Sequence, residues 1–119
     1  MMIKSLRPFI GAKDFDVSRN FYRELGFTEI VISPDMSVFE LSGLSFYLQK
    51  YYLKEWIENT MLFLEVENAE SFYQSLKVLD LPAKYPGVKL SPVRVEVWGE
   101  ECFLHDPSGV LWHIGHFTH

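Results

Sequence analysis

The sequence predicts an α+β fold in which a βαβββ unit occurs twice. Three observations predict it. Strand-like and helix-like segments run in the order β-α-β-β-β, and the same order then repeats. An amphipathic pattern recurs at matching places, Phe21-Tyr22-x-x-Leu25 and Phe72-Tyr73-x-x-Leu76, each after a strand and a capping residue. A length of 119 residues suits one domain spanning 1–119, with modules at about 1–55 and 56–119.

The elements follow in order. Leu6 to Ala12 reads as a strand, and Pro8 pushes it to a sheet edge or a bulge because proline has no N–H to donate. Asp14 or Asp16 caps a helix in which Val17, Phe21 and Leu25 share a face, and Gly26 ends it. Phe27 to Ile32, Val38 to Leu41 and Leu44 to Gln49 read as a meander, punctuated by Ser33-Pro34-Asp35 and Ser42-Gly43. Tyr51 to Asn59 fits either an aromatic loop or one helical turn. Met61 to Val66 is a strand, and Asn68 caps a second helix that Leu81-Pro82 ends. Residues 83–91 read as a loop and Pro92 to Val97 as a strand. Cys102 to His105 and Leu111 to Phe117 are two further strands around the turn Asp106-Pro107-Ser108-Gly109.

Composition narrows the function. Apolar residues make up 48% and charged residues 23%, as in ordinary globular proteins. The net charge is −5 and no Lys/Arg cluster occurs, which argues against nucleic acid as a partner. No apolar run approaches the ~20 residues of a membrane span, so no membrane partner is expected. The single cysteine, Cys102, rules out an intrachain disulfide or a multi-thiolate zinc site. The start of the chain lacks a signal-peptide pattern, and the expected compartment is the cytoplasm. Aromatic residues reach 16%, which points to a ring-rich core or a ring-lined cavity.

The run Phe9-Ile10-Gly11-Ala12-Lys13-Asp14-Phe15-Asp16-Val17-Ser18, leading into Phe21-Tyr22-x-x-Leu25-Gly26-Phe27, resembles the opening of the vicinal oxygen chelate superfamily. The closing run Trp98-Gly99 and Phe103-Leu104-His105-Asp106-Pro107-Ser108-Gly109-Val110-Leu111-Trp112 resembles its end. That superfamily includes glyoxalase I, extradiol dioxygenases, and fosfomycin and bleomycin resistance proteins. The resemblance implies two βαβββ modules forming an open cup of curled sheet, completed by a second subunit. Its metal-using members carry one His, Gln or Glu ligand on the first and last strand of each module. The matching positions here are Arg7, Gln49, Met61 and His113. Arg has no lone pair to give a metal, and a thioether suits hard divalent cations poorly. The resemblance with these two departures implies that metal and other cofactors are absent.

Strand alternation extends the candidate set. If Arg7 faces the cup, so does Phe9. Tyr47 accompanies Gln49, Phe63 and Glu65 accompany Met61, and Leu111 accompanies His113. Trp56 and Trp98 fall in loops, where packing explains a ring less easily. The expected ligand-binding residues are therefore Arg7, Phe9, Tyr47, Gln49, Trp56, Phe63, Glu65, Trp98 and His113. Rings with a few convergent polar groups suit a small molecule. Bland readings stand beside these: Arg7 and Glu65 pairing only with each other, and His113 as a satisfied core histidine. No nucleophile motif is visible, and no catalytic residue is assigned. The expected function is metal-free sequestration of a flat ligand, cationic or uncharged, in an aromatic cup by a homodimer of the bleomycin-resistance type. The alternative is a metal-dependent lyase, dioxygenase or thiol transferase with shifted ligands, or a metal-free isomerase using Glu65 or His113 as base.

Overall fold

The computed structural model describes residues 1–118. Its elements are β1 (Phe9–Gly11), α1 (Phe15–Leu25), β2 (Thr28–Ser33), β3 (Met36–Leu41), β4 (Leu44–Gln49), α2 (Lys54–Ile57), β5 (Met61–Glu65), α3 (Ala69–Leu79), α4 (Leu81–Lys84), β6 (Lys89–Val95), β7 (Gly99–His105) and β8 (Leu111–Phe117). They form two open four-stranded sheets with strand orders β1-β4-β3-β2 and β5-β8-β7-β6. In each, the first strand lies parallel to the last and the other pairs are antiparallel. This is the twofold βαβββ arrangement that the element order predicts.

Local chemistry sets the boundaries. Asp14 caps α1 by accepting from the Val17 N–H, and Asn68 caps α3 by accepting from the Ser71 N–H. Gly26 ends α1 at φ 119°, a left-handed conformation that costs a glycine little. Pro8 shortens the first strand, which starts at Phe9 and lies at a sheet edge. Two expectations need correction. Residues 83–91 are not one loop: Leu81–Lys84 forms a short helix and β6 already begins at Lys89. Pro92 does not start that strand but sits in its bulge, between Ser91 and Arg94, where no ladder N–H is needed.

The sheets' inner faces share one core with α1 and α3. Tyr22 touches Phe27, Phe39 and Phe46 of the first module and Trp112 of the second. Ile10, Phe21, Leu48, Leu104 and Ile114 are buried beside them. Asp106 locks the turn between β7 and β8 by accepting the N–H groups of Ser108, Gly109 and Val110 on Oδ1. Burial pushes the Asp106 carboxyl above its ordinary range, against the hydrogen bonds that hold it down. The outer faces are left open, and they carry the candidate site.

Candidate functional site

The strand alternation read from the sequence holds within the strands, but not in the segment before β1, where Leu6 and Pro8 are both exposed. Phe9 is 48% exposed while Ile10 is fully buried, and Phe63 is 45% exposed while Trp112 and Ile114 lie in the core. The outer positions form two groups, one on each sheet.

On the first sheet Phe9 stacks on Tyr47, with centroids 4.7 Å apart and planes 17° from parallel. The parallel register that pairs Phe9 with Tyr47 makes this stack. The Arg7 guanidinium lies 5.5 Å from the Tyr47 ring centre. It donates to Ser45 Oγ at 2.9 Å and Tyr47 OH at 3.3 Å, and it pairs with Glu40 at 3.7 Å. The suggested Arg7–Glu65 pair therefore does not form: Glu40, two strands away in the same sheet, takes that place. Gln49 ends β4 opposite Gly11 and Met36. Trp56 meets Tyr51 at 5.8 Å and crowds the α-carbon of Gly11. Packing thus accounts for Trp56, and no outer-face ring touches it among the described residues.

On the second sheet the rings form a continuous patch. Phe63 lies 5.7 Å from Trp98 and 5.8 Å from Phe117, and Trp98 lies 5.2 Å from Phe117. His113 lies nearly parallel to Phe63 at 6.3 Å and meets Phe103 edge-on at 5.1 Å. Its Nδ1 is 2.9 Å from Oε1 of Glu101, a carboxylate that is 7% exposed. Its Nε2 is buried and has no hydrogen-bond partner. His113 is therefore not the satisfied core histidine of the bland reading. Glu65 points outward and joins no ion pair among the described residues. Glu40, Glu101, Phe103 and Phe117 escape sequence reading as site residues. The Ser42-Gly43 turn is the available signal for Glu40, because it sets Glu40 opposite Ser45. Alternation from Phe103 is the signal for Glu101.

A cleft of about 680 Å³ separates the two groups. Leu6, Leu44 and Ser45 line it from the first module, and Phe63, Glu65 and Trp112 from the second. No hydrogen bond, ion pair or ring contact joins the Arg7 group to the His113 group among the described residues.

The four positions where the superfamily places metal ligands fit a metal poorly. Arg7 is cationic and tied to Ser45, Tyr47 and Glu40. Met61 offers only a thioether. His113, with Nδ1 held by Glu101, keeps Nε2 open and is a competent ligand by itself, but one imidazole does not make a site. No three His, Cys, Asp or Glu side chains converge among the described residues. His105 and Asp106 do not form a dyad, because Asp106 serves the turn and Tyr22. Burial and the charge of Lys89 lower the pKa of His105.

No protein-family model and no curated protein matches the sequence. Solved structures match the fold over nearly the whole chain. A bleomycin-binding protein complexed with bleomycin superposes with a TM-score of 0.80 at 18% identity, covering 98% of this chain and 100% of that one. The bleomycin-binding protein from bleomycin-producing Streptomyces verticillus, complexed with copper(II)-bleomycin, gives 0.81 at 19% identity over 99% of each chain. A lactoylglutathione lyase from Agrobacterium tumefaciens gives 0.69 at 12% identity, covering 96% and 94%. The chain shares its fold with these three proteins.

Proposed function

Starting from that shared fold, we propose that this chain is a metal-independent binding protein that sequesters a flat aromatic small molecule, and that it works as a cytoplasmic homodimer. One observation carries the reading: the outer-face patch of Phe63, Trp98, Phe117 and His113. Phe63 and Phe117 are 45% and 47% exposed yet in mutual ring contact. Large exposed apolar patches on small domains mark binding surfaces, and such rings stack on a planar ligand with about 0.5–1.5 kcal/mol per ring pair beyond area burial. The bleomycin complexes of two proteins with this fold support the same kind of ligand.

Charge refines it. Glu40 already neutralises Arg7, whereas Glu65 has no cationic partner among the described residues. The free carboxylate and the net charge of −5 favour a cationic ligand. The open sheet edges and exposed outer faces suit a dimer in which the Arg7–Phe9–Tyr47–Gln49 face of one subunit closes over the patch of the other.

A thermal-shift screen tests the proposal, using bleomycin and a panel of planar aromatic cations and neutral compounds, each with chelator and with added Zn²⁺, Mn²⁺ or Ni²⁺. Stabilisation by a specific ligand grows as RT ln(1 + [L]/Kd). Stabilisation by planar compounds in chelator supports the proposal. Stabilisation only with added metal favours the metal-dependent lyase, dioxygenase or transferase instead.

A further inference from the structure

We propose that Glu101 and His113 form a hydrogen-bond acceptor that selects flat ligands carrying an N–H or O–H donor on their edge. This rests on the reading of the second sheet's outer face as the ligand site, and it names the ligand class that site takes.

The register places the pair. Glu101 lies opposite Gly115, and His113 lies opposite Phe103, so the two side chains are diagonal neighbours on one face. Gly115 has no side chain to fill the space beside them: a Cβ there would stand 3.0 Å from Glu101 Cβ and 3.3 Å from Phe63 Cζ. The Nδ1–Oε1 distance of 2.9 Å is a full hydrogen bond. A carboxylate can only accept, so Nδ1 carries the proton. In the neutral form of that ring Nε2 is a bare lone pair.

That lone pair is buried and has no partner. An unmet buried acceptor costs free energy that an arriving donor recovers. Water suits the place badly, because a buried water needs two to four polar partners and Phe63 and Phe103 supply none. Phe63 sits on the edge strand β5 and is 45% exposed, so its ring has room to yield. A planar ligand that stacks on Phe63, Trp98 and Phe117 brings its edge toward Nε2. A donor on that edge meets the acceptor, and a methylated edge leaves it unmet. Glu101 acts through His113 and is a positioning residue: it holds the tautomer.

Two measurements test this. Two-bond ¹H–¹⁵N spectra of the wild-type imidazoles read the tautomer directly. A His113 proton on Nδ1 is expected, and a proton on Nε2 overturns the inference. Calorimetry then compares indole with N-methylindole and naphthol with methoxynaphthalene. The donor of each pair is expected to bind about tenfold more tightly, equivalent to about 1.4 kcal/mol. The ratio should fall toward one in His113→Phe, or in His113→Leu where the first variant folds poorly, since neither side chain can accept a hydrogen bond. In Glu101→Gln the ratio should shrink while His113 shows a mixture of tautomers. Equal wild-type affinity within both pairs, or a ratio that survives both His113 variants, overturns the inference and leaves the proposed function standing. Failure of all four compounds to bind overturns the inference, and the proposed function falls with it only where bleomycin and the planar cations of the screen fail as well.

Discussion

Tyr22 joins the two modules through Asp106: its hydroxyl donates to Oδ2 at 2.7 Å, and the same oxygen of Tyr22 accepts from Trp112 Nε1 at 3.0 Å. All three groups are buried. Burial first, and then the charge of Asp106, raise the Tyr22 pKa well above its usual value, so the hydroxyl keeps its proton and donates. The residue that fills the centre of the core thus also fixes the β7–β8 turn.

Tyr22→Phe keeps the ring but strands Trp112 Nε1 and one oxygen of Asp106. The expected loss is about 1–3 kcal/mol, read as a lower midpoint in denaturant with an unchanged slope. A change within 0.5 kcal/mol, roughly that of a neutral surface substitution, contradicts the role given to this link.

The part-buried carboxylate of Glu29 and the buried one of Asp106 respond oppositely to acid. Burial raises the Glu29 pKa, but hydrogen bonds from Arg19 and Ser37 and the charges of Arg19 and Arg23 outweigh it, so the native value lies below the ordinary range. Its contribution is present above the unfolded glutamate pKa of about 4.3 and is lost as pH falls through the lower native value. Asp106 is shifted upward, so the native state takes up its proton first and gains stability as pH falls toward about 3.9. Urea unfolding at stepped pH should show a shallower acid loss in Glu29→Gln and a steeper one in Asp106→Asn. The reverse order contradicts these assignments.

Gly11→Ala should destabilise by about 1–3 kcal/mol, the usual range for overpacking. An added Cβ would meet Ile57 Cδ1 at 2.4 Å, the Tyr51 carbonyl at 2.5 Å and Trp56 at 2.6 Å. Thermal unfolding of the variant checks it. Unchanged stability would show that α2 and Trp56 can move away from β1.

Glu65→Gln should weaken planar cations by about tenfold and leave neutral planar compounds unchanged. Arg7→Met should not weaken cation binding, because it removes a positive charge and leaves the Glu40 carboxylate unpaired, and any gain should be smaller than the Glu65→Gln loss because Glu40 lies on the other sheet. Titration of both variants with a cation from the screen decides it. A larger effect from Arg7→Met than from Glu65→Gln reverses the charge assignment.

The fold was largely legible because its signals are local. Asp14, Asn68 and Gly26 mark helix ends by their own chemistry, and Asp106-Pro107-Ser108-Gly109 makes its turn without distant partners. Alternation placed Phe9, Tyr47, Phe63 and His113 on outer faces, since period two survives in unbroken strands. What stayed hidden depends on register. The bulge at Pro92 shifts β6 against β7, and no local residue announces a strand start at Lys89. Arg7 finds Glu40 only through two strand pairings, β1 with β4 and β4 with β3. Glu101 matters because Gly115 and His113 stand beside it, and those neighbours come from another strand. Trp56 reads as a loop ring, yet its partner Gly11 lies far back in the chain.

The central claim is a metal-independent ligand site built on the ring patch of the second sheet. Calorimetric titration of chelator-treated wild type and Trp98→Ala with the most stabilising planar compound of the screen tests it most directly. The account predicts binding to the wild type without any divalent ion, and a loss of tenfold or more in Trp98→Ala with little change in thermal stability. Binding that appears only after Zn²⁺, Mn²⁺ or Ni²⁺ is restored, or affinity untouched by Trp98→Ala, would contradict it.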